Sequence, residues 1–151
     1  MKILFLLFFI FYSFSVQSEL IKPDPNFLPE KVVSIQLNAL MNNNKPYNNA
    51  GIEQTWEFAH PSNRIFTGPL NNFIKMMKSQ NYLIMLNHIE HKIIGVKSEN
   101  NISYFFVELT ANDGNKYGFQ WTVKKVENYN EFLNCWMTIS VSAPMLISNS
   151  A

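Results

Sequence analysis

The sequence predicts an α+β domain in which about three N-terminal helices precede an antiparallel sheet of about five strands. Two observations indicate this class. Apolar residues recur at helical spacing as far as Met77, whereas from Tyr82 onward the period becomes two and β-branched and aromatic residues dominate. Helices followed by a run of strands are the order of an α+β domain, because a parallel sheet needs strands that alternate with helices.

The first 18 residues have the features of a secretory signal peptide. Lys2 provides a short positive start, residues 3–14 are apolar and uncharged, and Val16 and Ser18 are small enough for a peptidase site. The apolar run is shorter than the roughly 20 residues of a spanning helix, which favours cleavage near Ser18 over a retained membrane anchor. We therefore expect a secreted or secretory-pathway lumenal protein, without stable membrane insertion after cleavage.

The balance of charge argues against a nucleic-acid partner. The chain of 151 residues carries 12 Lys and Arg against 11 Asp and Glu, so it lacks the basic excess typical of nucleic-acid-binding domains. An extended lead-in with two prolines is expected at 19–28. A single domain is expected at 29–151, which is long enough to bury its own core.

Three helices are expected in the first part of the domain. Pro29 suits the first turn of a helix, and the asparagine run at 42–44 ends that helix. Pro61 ends the second helix, a loop follows to Gly68, and Pro69 opens the third helix. The three apolar faces are Val33, Leu37, Leu40 and Met41, then Ile52, Trp56 and Ala59, then Leu70, Phe73, Ile74 and Met77.

Five strands and a tight hairpin are expected in the second part. Asp113-Gly114 is typical of the two-residue type I′ turn, in which both central residues take positive φ. The strands are expected near 82–87, 89–97, 102–111, 116–126 and 133–142.

The two-residue turn determines which side chains would share a face of the sheet. It places Glu108 opposite Phe119, so that one face becomes rich in aromatic rings. This face would carry Tyr104, Phe106, Glu108, Tyr117, Phe119, Trp121 and Val123. A shift of one residue in the register would move all the side chains of one strand to the opposite face.

Glu108 is the unusual residue of this aromatic face. A carboxylate is costly to bury unless it is paired or protonated, so such a group is a candidate acid, base or ligand anchor. Tyr104 or His60 could serve beside it as a hydrogen-bond donor. The alternative is that Glu108 lies near the end of its strand and reaches water.

The second face of strand 102–111 is apolar as well, because Phe105, Val107 and Leu109 alternate along it. A sheet with two apolar faces covers one of them with helices and the other with a partner. We therefore expect a homodimer.

The segment after the second helix carries further polar candidates. His60 and Arg64 would lie at the mouth of a pocket over the sheet, with Trp56 anchored inward. The alternative is structural, with Arg64 paired to Glu57 or Glu53 and Trp56 in the core.

No cofactor or metal is expected. His88 and His91 are three residues apart, so in a strand they would point to opposite faces, and no third ligand follows at a recognisable spacing. The sequence also lacks a phosphate-binding glycine loop and a nucleophile motif. Cys135 is the only cysteine, which excludes an internal disulfide. We expect an inert core thiol there, with a reactive thiol or an intermolecular bridge as the alternatives.

Asn101-Ile102-Ser103 is an N-glycosylation sequon that follows a polar run. Its position indicates a surface turn. Asn101 is therefore a candidate glycosylation site in the secretory pathway.

Three stretches of the chain resemble a known group of proteins. They are LNALMNNNKPYNNAGIEQTWEFAHPSNR, FTGPLNNFIKMMKSQNYLIMLNH and FLNCWMTISV, which together span most of residues 36–141. The chain resembles an uncharacterised family within the nuclear-transport-factor-2-like, or SnoaL-like, superfamily. This resemblance implies a cone-shaped, cystatin-like α+β fold, in which a curved sheet wraps a long helix around an apolar hollow. The superfamily includes both enzymes and binding modules, so the fold alone does not define a reaction.

Three functions agree with these features. The first is a non-enzymatic module that binds a small apolar ligand or another protein through an aromatic-lined pocket. The second is a SnoaL-type acid–base isomerase or hydrolyase acting on an apolar substrate, with Glu108, Tyr104 and His60 as catalytic candidates. The third is a structural secreted protein without a ligand. The residues expected to contact a ligand are Trp56, His60, Arg64, Tyr104, Phe106, Glu108, Phe119 and Trp121.

Overall fold

The computed structural model describes residues 19–149, so the predicted signal peptide lies outside the described residues. The α+β prediction is confirmed, because four helices precede a five-stranded antiparallel sheet. The helices are α1 (Pro29–Met41), α2 (Ala50–Glu57), α3 (Pro61–Thr67) and α4 (Leu70–Met77). Short 3-10 turns span Leu83–Met85 and Asn130–Phe132. The strands are β1 (Glu90–Glu99), β2 (Ile102–Thr110), β3 (Lys116–Lys125), β4 (Trp136–Val141) and β5 (Met145–Ser148).

The sheet has the strand order β1-β2-β3-β4, and β5 also pairs with β3. One edge of β3 therefore binds two strands in succession, with β4 along 121–125 and β5 along 116–118. Register shifts occur between β1 and β2, where Val96 of β1 is the extra residue, and between β3 and β4, where Ile139 of β4 is the extra residue. Bulges of this kind bend a strand and increase its twist, so they curve the sheet.

Helix α1 begins and ends where the sequence predicts. Pro29 occupies its first turn, where the missing N–H costs no hydrogen bond, and Glu30 complements the positive end of the helix dipole. The buried side of α1 includes Val33, Leu37 and Leu40, which pack against the sheet. Its contacts with β1, β3 and β4 place α1 across the inner face of the sheet.

Two predicted elements are wrong. Residues 61–68 were expected to form a loop, but α3 occupies 61–67 because Pro61 starts a new helix and the His60 ring accepts the Ser62 N–H. Residues 82–87 were expected to form a strand, but they contain a 3-10 turn, and Asn87 has a left-handed φ of 56°. The fifth strand is β5 instead. A short apolar run does not distinguish a strand from a turn without its tertiary contacts.

The hairpin between β2 and β3 also differs from the prediction. Its loop has three residues, 112–114, because Ala111 N–H donates to the Asn115 carbonyl over 3.0 Å. Gly114 takes the left-handed φ of 79°, and Asp113 Oδ1 accepts the Asn115 N–H over 2.9 Å. This arrangement is a turn followed by a glycine bulge, not a two-residue type I′ turn.

The longer loop shifts the register by one residue and divides the predicted aromatic face. Glu108 pairs with Gly118, not with Phe119, and Phe106 pairs with Gln120. Tyr117, Phe119, Trp121 and Val123 remain on the inner face, whereas Tyr104, Phe106 and Glu108 lie on the outer face. The inner face of β2 consists of Phe105, Val107 and Leu109 instead, all of them buried.

Among residues 19–149, no helix combines the length and the apolar character needed to cross a membrane.

Candidate functional site

A cavity of about 170 Å³ lies between α2, α3, α4 and the inner face of β3 and β4. Its deep wall is formed by the buried side chains Leu40, Phe73, Met77, Met85 and Trp121. These residues come from four separate elements. The cavity exists because the helices approach the sheet without filling the space above Trp121.

A network of hydrogen bonds fixes the floor of the cavity. Trp121 Nε1 donates to Thr138 Oγ1 over 3.0 Å and also approaches Gln36 Oε1 at 3.3 Å. The Thr138 hydroxyl donates to the same Gln36 oxygen, and Gln36 Nε2 donates to the Thr55 carbonyl over 3.0 Å. Buried polar groups require such partners. Because the network pairs these groups with one another, the floor presents mainly the apolar indole to a ligand.

The rim of the cavity carries polar groups with spare hydrogen-bonding capacity. Asn63 and Thr67 reach it from α3, and Tyr82 from the segment before the 3-10 turn. In the described part of the chain, the hydrogen bond of the Asn63 amide is a long contact of 3.5 Å to the Thr138 carbonyl. The Tyr82 hydroxyl donates to the Val141 carbonyl over 3.2 Å, so its oxygen can still accept.

The cavity carries almost no ionisable chemistry. Within the described part of the chain, Tyr82 is the sole ionisable side chain in its wall, which holds no Asp, Glu, His, Lys or Arg. A buried charge needs a counter-charge or several hydrogen bonds. The cavity therefore suits a neutral molecule with one polar end.

Trp121 is the one predicted ligand contact that lines this cavity. Phe119 is fully buried in the core. Trp56 lies one layer behind the wall, where its ring packs against Phe73 with 5.1 Å between the centroids. Trp56 therefore supports the shape of the cavity without lining it.

Arg64 is engaged by backbone carbonyls at the end of α2. Its guanidinium donates to Ala59 O over 3.0 Å, and to Trp56 O and Glu57 O over 2.9 Å each. It also lies 4.9 Å from the centre of the Trp56 ring. A cation at this position binds the carbonyls at the end of the helix and stabilises the negative end of the helix dipole. The pairing expected with a carboxylate of Glu57 or Glu53 is absent in the described residues.

His60 belongs to the junction between α2 and α3. The ring Nδ1 accepts the Ser62 N–H over 3.1 Å, and the backbone N–H of His60 donates to the Thr138 carbonyl over 2.8 Å. Burial lowers the pKa of His60, so the ring is neutral near pH 7. Its Nε2 is buried without a hydrogen-bond partner among residues 19–149. The ring does not line the cavity.

Tyr104, Phe106 and Glu108 lie on the sheet face opposite the cavity. Glu108 is half-buried, with Lys92 beside it on β1 and Gly118 beside it on β3. The Phe106 ring covers Gly118 so closely that a Cβ there would lie 2.5 Å from Phe106 Cζ. These three residues belong to a different surface from the cavity, which the predicted register did not show.

His88 and His91 lie together, contrary to the expectation from strand alternation. β1 begins only at Glu90, so His88 belongs to the preceding turn, and Asn87 redirects the chain. His88 Nε2 lies 2.8 Å from His91 Nδ1, and His88 Nδ1 lies 2.7 Å from the Met85 carbonyl. Among residues 19–149, no group of three or more His, Cys, Asp or Glu side chains could hold a metal ion.

Cys135 and Asn101 lie away from the cavity. Cys135 is buried, and burial raises the pKa of its thiol, so the reactive thiolate is disfavoured. Asn101 lies in the turn between β1 and β2, where its side chain donates to Glu127 Oε1 over 2.8 Å.

Sequence reasoning missed most of the cavity wall. Met77 was predicted on the apolar face of the third helix without a ligand role, and Met76 and Met85 were not singled out. The one available signal was the cluster of methionines, whose flexible thioethers often line adaptable apolar sites. Nothing in the sequence around Thr138 indicated a place in the site, because its role depends on contacts with Gln36 and Trp121 from distant parts of the chain.

Comparisons of the chain with protein-family models, with curated proteins and with solved structures found no match.

Proposed function

We propose that this protein is a non-enzymatic binding module that holds a small, neutral, mostly apolar molecule in the cavity above Trp121. The observation that carries the proposal is the combination of an apolar wall with a single ionisable side chain, Tyr82, among the described residues. The cavity of about 170 Å³ is close in size to an engineered cavity of about 150 Å³ that binds benzene. A molecule with one ring or a short chain has the appropriate size.

The wall favours a particular orientation of the ligand. The apolar part would contact Phe73, Met85 and Trp121, and one hydroxyl or carbonyl would face Asn63 and the Tyr82 oxygen at the rim. Burial contributes roughly 25 cal/mol for each Å² of apolar surface, and association costs several kcal/mol in lost freedom. For a ligand with one ring, the difference corresponds to dissociation constants on the order of micromolar to millimolar.

A SnoaL-type enzyme is the less supported alternative. General acid–base catalysis needs a proton donor or acceptor within hydrogen-bond reach of the substrate. Glu108 and Tyr104 lie on the outer face of the sheet, and the His60 ring is outside the cavity wall. Tyr82 alone would have to serve both roles, so binding without chemistry is the simpler function. A structural protein without any ligand is the third candidate.

We also propose a fold family, a cellular location and an oligomeric state for this protein. Helices packed on one face of a bent antiparallel sheet, with a hollow between them, support the cone-shaped, cystatin-like fold of the nuclear-transport-factor-2-like superfamily. The features of residues 1–18 support entry into the secretory pathway, where Asn101 would be open to glycosylation. Phe106 and the exposed Tyr104 on the outer sheet face support a homodimer through that face.

Binding of p-cresol to the chain 19–151 at pH 7 tests the proposal. Isothermal titration calorimetry should give a one-site isotherm, and saturation-transfer NMR should show contact through the aromatic ring. Thr67→Trp places a large side chain at the rim and should abolish binding. Phe66→Trp is the matched control, because Phe66 on the same helix is 86% exposed. Unaltered binding by Thr67→Trp, or no binding by the unmodified chain, would overturn the proposal.

A further inference from the structure

We propose that the His88–His91 pair makes the ligand cavity pH-sensitive, because protonation of both rings releases the chain segment that carries Tyr82 and Met85 into the cavity wall. This inference rests on the proposed binding function. It concerns how that same cavity would lose its ligand in an acidic environment.

The hydrogen bonds determine the tautomers of the two rings. The Met85 carbonyl can only accept, so His88 Nδ1, at 2.7 Å, carries a proton. In a neutral ring the other nitrogen is then an acceptor. His88 Nε2 therefore accepts from His91 Nδ1–H over 2.8 Å. Both rings are neutral in this arrangement, and within residues 19–149 each ring nitrogen except His91 Nε2 has a hydrogen-bond partner.

The first and second protons act differently on this pair. The first proton can bind His91 Nε2, which leaves the hydrogen bond between the rings intact. The second proton must bind His88 Nε2. Two N–H donors would then face each other across less than 3 Å, with two positive charges beside them. The pair cannot survive this state, so the rings must separate.

Burial makes the second protonation unfavourable until the pH is low. His88 is 2% exposed, and burial lowers its pKa to about 4, with the Met85 hydrogen bond opposing and His91 reinforcing the shift. Burial also lowers the pKa of His91. The two rings titrate as a pair, and the step that protonates His88 Nε2 is the one that disrupts the contact.

Among residues 19–149, neither ring has a carboxylate as a hydrogen-bond partner that could stabilise a doubly protonated state. Residues 32–41 of α1, which packs on β1, have no ionisable side chain. Glu90, Lys92 and Glu108 lie on the outer face, opposite His91. The remaining ionisable groups are Tyr82, before the 3-10 turn, Tyr117, in the cross-strand row of His91, and Lys78 and Asp113, which share a surface groove with Asn87.

The pair is joined to the cavity through a short stretch of backbone. The Met85 carbonyl that binds His88 belongs to a residue whose side chain lines the cavity and is 1% exposed. Met85 N–H donates to the Tyr82 carbonyl, and Asn87 N–H donates to the carbonyl of Leu40, another wall residue. Protonated His88 keeps its Nδ1–H for the Met85 carbonyl, so separation of the rings breaks the connection between this part of the wall and His91 on β1.

NMR on the chain 19–151, labelled in its methionine methyl groups and histidine rings, tests the inference without a ligand. As pH falls from 7 to 3.5, the Met85 methyl signal should shift with the same midpoint as the second protonation of the His pair. The Met137 methyl, in a separate buried cluster, should stay unchanged. A Met85 signal that does not move while His88 is protonated would overturn the inference. So would a shift of Met85 and Met137 together, because that is global unfolding.

Two variants and one ligand measurement complete the test. His88→Asn keeps a donor for the Met85 carbonyl without a titrating ring, so it should remove the Met85 transition. His60→Asn, at a buried histidine outside the cavity wall, should retain it. The affinity for p-cresol should be about twofold weaker at pH 4 and fall about tenfold for each further unit. No binding of p-cresol at pH 7 would contradict the proposed function alone, because the Met85 transition is measured without ligand.

Discussion

The indole nitrogen of Trp121 and the hydroxyl of Thr138 are 3.0 Å apart, and this hydrogen bond joins β3 to β4 directly beneath the cavity. The same hydroxyl donates to Gln36 on α1, which connects the sheet to the long helix. The cavity thus lies above a satisfied polar network that fixes the orientation of the Trp121 ring.

Thr138→Val should destabilise the fold by about 1–3 kcal/mol, since it removes an acceptor for the Trp121 N–H and a donor to Gln36 in a buried site. Urea unfolding gives the free energy. Thr122→Val on the outer face of β3 is the control and should cost less than about 0.5 kcal/mol. Equal stability of the two variants would mean that the network does not hold the floor.

Gly118→Ala should destabilise the fold by about 1–3 kcal/mol, because the new Cβ would lie 2.5 Å from Phe106 Cζ. Thermal unfolding measures the loss. Gly95→Ala is the matched control, since a Cβ at Gly95 meets nothing within 4 Å. Phe106→Leu should recover most of the loss in the double variant. A register with Glu108 opposite Phe119 would predict no such coupling.

Arg64→Lys should lower stability by about 1.5–3 kcal/mol although the charge is retained. The guanidinium reaches three carbonyls at the end of α2, and a single ammonium cannot reproduce that fork. Chemical denaturation provides the measurement. If Arg64 acted only as a surface charge, the Arg64→Lys variant would be as stable as the unmodified chain.

Stability should fall as the pH drops from about 6.5 towards 4. His88 has a pKa of about 4 in the folded chain and an ordinary value of 6.5 when unfolded, so the unfolded chain binds more protons in this window. The contribution of His88 to the free energy of unfolding is therefore complete above pH 6.5. It is lost as the pH falls, by up to about 3 kcal/mol. Urea unfolding at pH 7, 5.5 and 4.5 measures the slope, which His88→Asn should reduce. An unchanged slope in that variant would assign the effect to other groups.

Expression of the full chain through a eukaryotic secretory pathway should release a protein whose N-terminus is Glu19. The short apolar run 3–14 and the small residues Val16 and Ser18 motivate this expectation. Mass spectrometry of the medium reports the terminus directly. A product that keeps residues 1–18 and stays with the membrane would favour the anchor.

The sequence by itself determined the elements whose signals are local. Proline at the first turn and apolar residues on one side gave α1 its correct bounds, because both act within one helix. The change to a period of two located β1 to β4 within a few residues. The burial of Cys135 also followed from its apolar neighbours.

Tertiary structure decided the register and the cavity. Asp113-Gly114 fits a two-residue turn as well as a three-residue loop, and burial of Phe105, Val107 and Leu109 against the helices selects the longer loop. That single-residue shift moved Glu108 to the opposite face of the sheet from the cavity. The cavity wall joins α1, α2, α3, α4, β3 and β4, which are spread over the chain from Leu40 to Val141. Periodicity records which side of an element is buried, but the space left between elements depends on how they pack, so the site could not be located from local pattern alone.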